Sequence, residues 1–468
     1  MKLKFLGATR EVTGSKHLIT TENGKKILLD CGMYQGKGLE TDAMNRNLGF
    51  DPVEIDHILL SHAHIDHAGL IPYVYKLGFR GSVVCTNATR DLCAIMLADS
   101  GHIQESDVEK FNRRRIARGE APVQPIYTKT DACACMKLFI GVAYNRRFRI
   151  DDNTHVTFTN TGHMLGSSVV SLEITEQGKT TRLAYTSDIG RPKSHILKSP
   201  EPFPQCDYLI TEATYGDRLH EPMKDAEGEL LRVIRQTCVE KGGKVIIPSF
   251  AIGRTQEVVY VLNTFFNDGR LPKINIYVDS PLAVNATDIF RLHLDNLNRD
   301  VQEVMQNDPD PFGFGSLFYL TRTEDSKQLN SLRKPCVIIS ASGMMEAGRI
   351  KHHLANTIED PKNTILVVGY CSPATLGARI VNGENPVSIF GEIHPVRATI
   401  ERIEAFSAHG DYQEMKDYLS CQDKSQVKQV FLVHGEYTAQ QFYQRTLEEA
   451  GFRNISIPGA GTEVQLKI

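Results

Sequence analysis

One short stretch of the sequence concentrates groups that bind metal ions. Residues 61–67 read Ser-His-Ala-His-Ile-Asp-His, so three histidines and one aspartate fall within six positions. On an extended backbone His62 and His64 point the same way, and a turn after them can bring Asp66 and His67 to the same place. Imidazole nitrogens and carboxylate oxygens are the ligands that zinc takes in hydrolytic sites. A lone histidine is more often structural, but four such groups at this spacing predict a metal site.

Further acids and histidines follow predicted strands at the point where each strand ends. Asp30, His163 and Asp188 each come within three residues of the end of such a strand. An acid at the end of a buried strand is costly unless it is paired or supports a site, so Asp30 is a candidate partner that orients the histidines. Taken singly, each of the three is equally consistent with an ordinary turn residue. Together with residues 61–67, they indicate one site built on successive strand ends.

The same arrangement recurs later in the chain. Glu212 ends a predicted strand that begins at residue 208, and His434 directly follows another predicted strand at 430–433. His409 lies in the sequence Phe-Ser-Ala-His-Gly-Asp, just before a predicted helix. The first 200 residues also place histidines and acids directly after strands. The same placement of His434 suggests that the tail of the chain returns to the first domain.

The order of strands and helices predicts an α/β protein with two domains. The chain has 468 residues, beyond the roughly 250–300 at which a single core stops growing. The stretch 86–150 is predicted to be largely helical, with Asn87 or Thr89 as the N-terminal cap. After a proline-rich linker near 195–205, strands alternate with helices, which argues for a parallel sheet covered on both faces. The expected boundaries are 1–205 for the first domain, 206–395 for the inserted domain and 396–468 for the returning segment.

Net charge, apolar runs and cysteine content indicate which partners and which cellular location to expect. Net charge is −3, so no global field attracts a polyanion, and the basic runs at 113–118 and 146–149 are most simply solvated faces. No apolar run approaches the ~20 residues that span a bilayer, and the N-terminus lacks a signal peptide, so we expect a cytoplasmic protein. The ten cysteines are expected to be free thiols.

The motifs together resemble the metallo-β-lactamase-fold hydrolases, and more narrowly their β-CASP branch. That branch contains nucleases such as the mRNA 3′-end processing endonuclease and ribonuclease J. The resemblance to the wider fold rests on the 28–32 sequence Leu-Leu-Asp-Cys-Gly, the His-x-His-x-Asp-His motif at 62–67, His163 and Asp188. The resemblance to the β-CASP branch rests on the later Glu212, His409 and His434. It implies a metallo-β-lactamase αβ/βα sandwich with an inserted α/β β-CASP domain.

The resemblance also implies a role for each residue. Two zinc ions are expected, with manganese as an alternative because the same ligands accept either metal. The implied ligands are His62, His64 and His163 for one ion, Asp66, His67 and His434 for the other, and Asp188 as a bridge. Asp30 would orient the ligands, Asp66 would also orient the attacking water, and Glu212 would hold His409 as the proton donor to the leaving ribose oxygen.

Two Gly-rich loops of the inserted domain are candidate contacts for the phosphate backbone of a substrate. The loop at 343–349 follows a strand and opens a helix like a phosphate-binding loop, but Arg349-Ile350 replaces the Lys-Ser/Thr pair of an NTPase. A plain strand-to-helix turn explains it as well. The candidate substrate-binding residues are Arg254, Ser342, Gly343, Arg349 and Arg379.

The expected reaction is hydrolysis of single-stranded RNA in a groove between the two domains. Because the chain ends soon after His434, without the further C-terminal domain of ribonuclease J-type exonucleases, an endonuclease is favoured over a 5′ exoribonuclease. A small-molecule metallohydrolase, such as a lactonase or thioesterase, explains the first 190 residues equally well but leaves Glu212 and His409 without a role. A non-catalytic family member and a DNA substrate are further alternatives. Exposed sheet edges suggest a homodimer.

Overall fold

The computed structural model describes residues 1–36, 40–220, 226–369, 371, 375–403 and 408–467. Residues 404–407, which include the start of the predicted motif around His409, and residues 372–374 of the loop before Arg379 lie outside this description. The chain forms two compact units. The first comprises Met1–Ser194, Lys198–Leu219 and His409–Ile468, and the second comprises His195–Leu197 and His220–Ala408.

The elements are numbered along the chain. Before residue 220 the described strands are β1 (Lys2–Gly7), β2 (Lys16–Thr20), β3 (Lys26–Leu29), β4 (His57–Leu59), β5 (Ser82–Thr86), β6 (Phe139–Val142), β7 (Phe148–Arg149), β8 (Thr154–Asn160), β9 (Ser168–Glu176), β10 (Lys179–Tyr185) and β11 (Tyr208–Glu212). The α-helices of this stretch are α1 (Glu40–Arg46), α2 (Ile65–Ala68), α3 (Ile71–Lys76), α4 (Asn87–Ala117) and α5 (Lys129–Cys135), with 3₁₀ turns at Pro52–Glu54 and Met136–Leu138.

The later elements follow the same numbering. The strands are β12 (Lys244–Pro248), β13 (Asn275–Asp279), β14 (Leu317–Leu320), β15 (Cys336–Ser340), β16 (Thr364–Val367), β17 (Val387–Ile389), β18 (Glu392–His394), β19 (Thr399–Arg402), β20 (Gln429–Val433), β21 (Ile455–Ser456) and β22 (Glu463–Gln465). The helices are α6 (Ala226–Ile234), α7 (Arg254–Asn267), α8 (Pro281–Leu292), α9 (Arg299–Val304), α10 (Thr323–Ser331), α11 (Ile350–Thr357), α12 (Leu376–Val381), α13 (Tyr412–Leu419) and α14 (Tyr437–Glu449), with a π-helix at Arg235–Glu240 and a 3₁₀ turn at Leu294–Asn296.

Two sheets form the centre of the first unit. Their described strands run in the orders β22-β1-β2-β3-β4-β5-β6 and β21-β20-β11-β10-β9-β8-β7. The facing sides share one apolar core, where Phe5 and Leu59 of the first sheet pack with Phe158, Ile210 and Phe431 of the second. Helix α4 contacts β5 and β6 of the first sheet, and α13 and α14 pack against the second. This arrangement confirms the expected αβ/βα sandwich.

The C-terminal segment contributes strands to both sheets of the first unit. Strand β22 pairs antiparallel with β1, and β20 pairs parallel with β11. Residues that are far apart in sequence therefore share the same sheets, and the tail brings His434 to the end of a central strand of the second sheet.

A parallel sheet forms the centre of the second unit. Its described strands run β14-β13-β15-β12-β16-β19, and every recorded pair is parallel. Helices cover it through an apolar cluster in which Leu329, Leu354 and Leu376 pack with Ile338 and Ile365. The alternation of strands and helices predicted this sheet correctly. All residues of β15, and all of β12 after Lys244, are buried, which agrees with helical cover on both faces.

Two local predictions differ from the structure. The N-terminal cap of α4 is Thr86, whose hydroxyl accepts a hydrogen bond from the Thr89 amide; Asn87 and Thr89 themselves lie inside the first turn. The apolar run that follows the 61–67 motif predicts a helix from Ala68, but helix α2 already begins at Ile65, so Asp66 and His67 are presented by a helical turn. No helix in the described ranges is long and apolar enough to cross a membrane.

Candidate metal centre

The candidate site lies at the carboxyl ends of parallel strands in both sheets of the first unit. In the first sheet Leu29 pairs with Leu59, so Asp30 and the residues after Leu60 leave adjacent strands together. In the second sheet Glu212 pairs with Val433, which puts His434 beside the end of β11. The pairing register, and not only the strand order, therefore brings these residues to one edge.

Three residues at these strand ends adopt a left-handed backbone. The φ angles are +58° at Asp30, +51° at Ser187 and +48° at His434. Such a conformation costs on the order of 1–3 kcal/mol for a residue with a side chain and persists where its surroundings fix it. At His434 the backbone amide donates to the Ala8 carbonyl at 2.7 Å. At each of these three residues the backbone thus turns sharply as it leaves the strand.

The first group of candidate ligands consists of His62, His64, His163 and Asp188. His64 Nδ1 lies 3.1 Å from His62 Nε2 and 3.2 Å from His163 Nε2. Asp188 Oδ2 lies 3.5 Å from His62 Nε2 and 3.4 Å from His163 Nε2. All four ligand atoms fall within 4.8 Å of one another. Four donor atoms thus converge on a single point.

The second group consists of Asp66, His67 and His434, with Asp188 between the two groups. The Nε2 atoms of His67 and His434 are 3.1 Å apart, and His434 Nε2 lies 3.6 Å from Asp66 Oδ2. Asp188 Oδ1 lies 3.4 Å from His67 Nε2. Because its two oxygens face different groups, Asp188 is placed to bridge them.

The geometry fits metal ions. A tetrahedral zinc ion with Zn–N distances of about 2.0–2.1 Å separates its ligand atoms by about 3.3–3.4 Å, close to the spacing in both groups. Asp188 Oδ1 is buried and accepts no hydrogen bond from any described residue, so it retains lone pairs for an ion. Burial also favours the neutral ring and holds the pKa of His62 and of His163 well below the ordinary value. Neutral imidazoles are the form that binds metal.

A shell of hydrogen bonds fixes the ligands from behind. Asp30 accepts bonds from the Ser61 amide, the Ser61 hydroxyl and the Tyr185 hydroxyl, each at 2.8 Å. Its Oδ2 also lies 2.7 Å from His67 Nδ1. Although burial lowers the pKa of His67, the Asp188 and Asp30 carboxylates raise it well above its ordinary value. Asp30 thus contacts His67 Nδ1 and leaves His67 Nε2 facing the site, the geometry of an orienting partner; that role stays a prediction.

Four hydroxyl residues near the site were not singled out from the sequence. Ser187 Oγ lies 2.7 Å from Ser61 Oγ and 3.3 Å from His62 Nδ1. Thr214 Oγ1 lies 3.0 Å from His434 Nδ1. Serine and threonine are too common at strand ends for their type to indicate a role. The only sequence signal is adjacency, since Ser61, Ser187 and Thr214 lie within two residues of predicted site residues and Tyr185 within three.

His409 and Glu212 form a pair beside the first group of ligands. His409 Nδ1 lies 3.3 Å from Glu212 Oε2, and the centroid of the His409 ring lies 4.5 Å from that of His163, with the ring planes tilted by 49°. Glu212 is fully buried and also accepts a hydrogen bond from the Ile189 amide. Although burial lowers the pKa of His409, the Glu212 carboxylate raises it to about 9. The pair therefore holds a protonated histidine next to the candidate metal ligands.

The candidate substrate-binding residues lie in the second unit. Arg254 is buried and donates to Glu257 at 2.6 Å. Arg349 donates to Asp279 and to the Thr321 carbonyl, both at 2.6 Å. Because their guanidinium groups bind neighbouring residues, Arg254 and Arg349 also have a structural role.

The other three candidates lie in or near the same loops of the second unit. Arg379 lies in α12 and pairs with Glu384 at 3.4 Å. Ser342 and Gly343 lie in the loop after β15, where the Ser342 hydroxyl accepts from the Ala347 amide at 3.4 Å. A contact between any of the five residues and substrate stays a prediction.

Three families match successive parts of the chain. Residues 12–138 match the metallo-beta-lactamase superfamily, residues 255–380 match the Beta-Casp domain, and residues 393–458 match a Zn-dependent metallo-hydrolase RNA specificity domain. These matches cover parts of all three segments predicted from the sequence.

Several curated proteins are similar over nearly the whole chain. Ribonuclease TTHA0252 of Thermus thermophilus is 35% identical over 93% of this chain and 93% of its own length. An RNase J-like protein of Methanocaldococcus jannaschii is 32% identical over 93% of this chain and 92% of its own. Cleavage and polyadenylation specificity factor 73 of Drosophila melanogaster is 30% identical over 93% of this chain and 60% of its own.

Proposed function

Because the chain belongs to the β-CASP branch of the metallo-β-lactamase superfamily, we propose that it is a zinc-dependent ribonuclease that cuts single-stranded RNA internally. The observation that carries the proposal is the convergence of two groups of metal ligands next to the His409–Glu212 pair. A lactonase or thioesterase site accounts for the ligands but leaves this pair without a role.

Two zinc ions fit the site, with manganese as an alternative. His62, His64 and His163 would hold one ion, Asp66, His67 and His434 the other, and Asp188 both. Bound there, the pair of ions supplies Lewis-acid chemistry that makes water a nucleophile at neutral pH and offsets negative charge on a phosphate.

The protein's own residues supply the remaining chemistry. Asp66 is partly exposed at 19%, so its carboxylate can orient an attacking water that enters from solvent. His409, held protonated by Glu212, gives its proton to the ribose oxygen as the phosphodiester bond breaks. Asp30 does not react but keeps His67 in place.

Two findings support RNA as the substrate. The C-terminal part of the chain matches an RNA specificity domain, and relatives that align with 93% of the chain carry ribonuclease names. Internal cleavage rests on the resemblance to the mRNA 3′-end processing endonuclease, one of whose named relatives aligns with 93% of this chain. A homodimer is a separate proposal, based on the edge strand β14 with its half-exposed Phe318, and light scattering of the purified protein tests it.

A cleavage assay tests the reaction directly. Purified zinc-loaded protein is incubated with a linear single-stranded RNA, the circular form of the same RNA, and the matching DNA, beside a chelator-treated control. We expect the circle to be cut, and cutting to stop without metal. Cleavage of the linear RNA alone would replace the endonuclease with an exonuclease. Hydrolysis of a lactone or thioester with no cleavage of nucleic acid would contradict the proposal.

A further inference from the structure

We infer that Thr214 is a positioning residue that fixes the tautomer of His434 and thereby holds the second metal site in its binding form. The inference rests on the proposed metal centre but not on the identity of the substrate. Thr214 lies two residues after Glu212, in the turn that follows β11. Its hydroxyl contacts both the ring and the backbone of His434.

The hydrogen bonds of the Thr214 hydroxyl determine where its proton lies. Thr214 Oγ1 donates to the backbone carbonyl of His434 at 3.2 Å and lies 3.0 Å from His434 Nδ1. A hydroxyl has one proton, and the carbonyl can only accept. With its proton directed to the carbonyl, the hydroxyl accepts a hydrogen from Nδ1, so Nδ1 is the protonated nitrogen when the ring is in the neutral form that binds metal.

The remaining nitrogen of His434 faces the candidate metal site. Nε2 lies 3.1 Å from His67 Nε2 and 3.6 Å from Asp66 Oδ2, and protonation of Nδ1 leaves its lone pair free. Nδ1 also lies 3.6 Å from Asp188 Oδ1, which is beyond hydrogen-bond distance, so Thr214 is its hydrogen-bond partner. Thr214 thus contacts Nδ1 of His434 and leaves Nε2 facing the site, as Asp30 does for His67.

The same residue supports the unusual backbone of His434. The left-handed turn at His434 directs its carbonyl to two donors, the Ala213 amide at 3.0 Å and the Thr214 hydroxyl. The Thr214 amide, in contrast, donates to Glu212 Oε2 at 3.3 Å. A substitution that removes only the hydroxyl therefore affects His434 and spares the bond to Glu212.

Zinc titration of the metal-free protein tests the inference without any RNA. Thr214→Val removes the hydroxyl at nearly constant volume, and we expect the affinity for one of the two ions to fall about 10- to 100-fold, measured by competition with a chromophoric chelator. Thr214→Ser keeps the hydroxyl and is expected to retain the wild-type affinity. The ¹⁵N chemical shifts of His434, assigned with a His434→Gln variant, are expected to show protonated Nδ1 in the wild type and loss of that preference in Thr214→Val.

The matched control is Thr237→Val in the second unit. The Thr237 hydroxyl is buried and lies 2.7 Å from that of Thr364, so this variant loses a buried hydroxyl without touching the site, and we expect unchanged zinc binding. Two wild-type-like affinities in Thr214→Val, or a Thr214→Ser variant as weak as Thr214→Val, would overturn the inference alone. A wild-type protein that binds no zinc would overturn both the inference and the proposed metal centre.

Discussion

The hydrogen-bond partner of each candidate ligand affects its role as much as the type of the ligand itself does. His67 and His434 are the same residue type facing the same point, yet one is held by a buried carboxylate and the other by a hydroxyl. A carboxylate partner makes the ring a stronger donor to a metal than a neutral hydroxyl does. The two histidines of the second group of ligands are therefore expected to differ in how strongly each donates to a metal ion.

Substitution of two histidines separates metal binding from proton donation. His64→Ala removes a nitrogen that lies 3.1–3.2 Å from two other candidate ligands, so we expect loss of bound zinc and of cleavage together. His409→Ala is expected to keep the zinc and to lower cleavage about 10²- to 10⁴-fold, the usual contribution of a general acid. Zinc content by mass spectrometry and the rate on one RNA substrate measure both effects.

The exposed His102 on α4 provides the matched control, since His102→Ala should leave zinc content and rate unchanged. If His409→Ala loses zinc instead, His409 is a ligand and the proton donor must be found elsewhere.

The candidate ligands and the supporting acids Asp30 and Glu212 could be predicted from the sequence, whereas the supporting hydroxyl residues could not. His62, His64, Asp66 and His67 are close in sequence, so local spacing predicts that they cluster. The contact of Tyr185 with Asp30 depends instead on how two sheets face each other, and no local pattern carries that information.

At the scale of single elements, strand ends and the loops that follow them set the geometry. Gly32 illustrates how closely they pack, because a Cβ atom there would lie 1.6 Å from the Asp66 carbonyl oxygen. Strand positions were predicted well because buried apolar runs mark them. The start of α2 inside the 61–67 motif was missed because histidine and aspartate at a helix start give little signal beside the apolar run that follows.

Lys16 on β2 joins two of these loops and makes stability depend on pH. Its ammonium donates to the carbonyls of Gly14 and Gly32, both at 3.0 Å. Burial lowers the pKa of Lys16 from 10.5 to about 8. Between these values the unfolded chain binds more protons than the folded one, so this residue's contribution to the free energy of unfolding rises with pH across that window and is constant below it.

Substitution of Lys16 by methionine isolates this contribution. From the two pKa values, the rise amounts to ~3 kcal/mol between pH 8 and 10.5. In metal-free protein, the difference in unfolding free energy between wild type and Lys16→Met, measured by urea denaturation, should grow by that amount in favour of the wild type. Lys179→Met, at an exposed position on β10, should show no such trend. A flat difference for Lys16→Met would mean that the folded protein keeps Lys16 charged throughout.

At the scale of the whole molecule, the two units have separate cores and different kinds of polar centre. The first unit contains the candidate metal site. The second contains a buried carboxylate, Asp279, which accepts hydrogen bonds from Arg349 at 2.6 Å and from Ser326 at 2.5 Å and lies 2.6 Å from His353 Nε2. The strand–helix alternation predicted the second sheet, but the Asp279 cluster joins β13, α10 and α11 and is visible only in the fold.

Each unit should therefore respond to its own perturbation, which hydrogen exchange followed by mass spectrometry can resolve. Removal of zinc from the wild type should speed exchange in peptides around Asp30 and His434, because bound ligand stabilises the state that binds it. Asp279→Ala leaves a partly buried arginine without its carboxylate, a loss of about 3–5 kcal/mol for a buried pair, and should speed exchange around β13 and α11. Asp288→Ala, which removes an exposed partner of Arg291, should cost less than about 1 kcal/mol and change neither unit. Equal acceleration of both units by either treatment would show that they unfold as one.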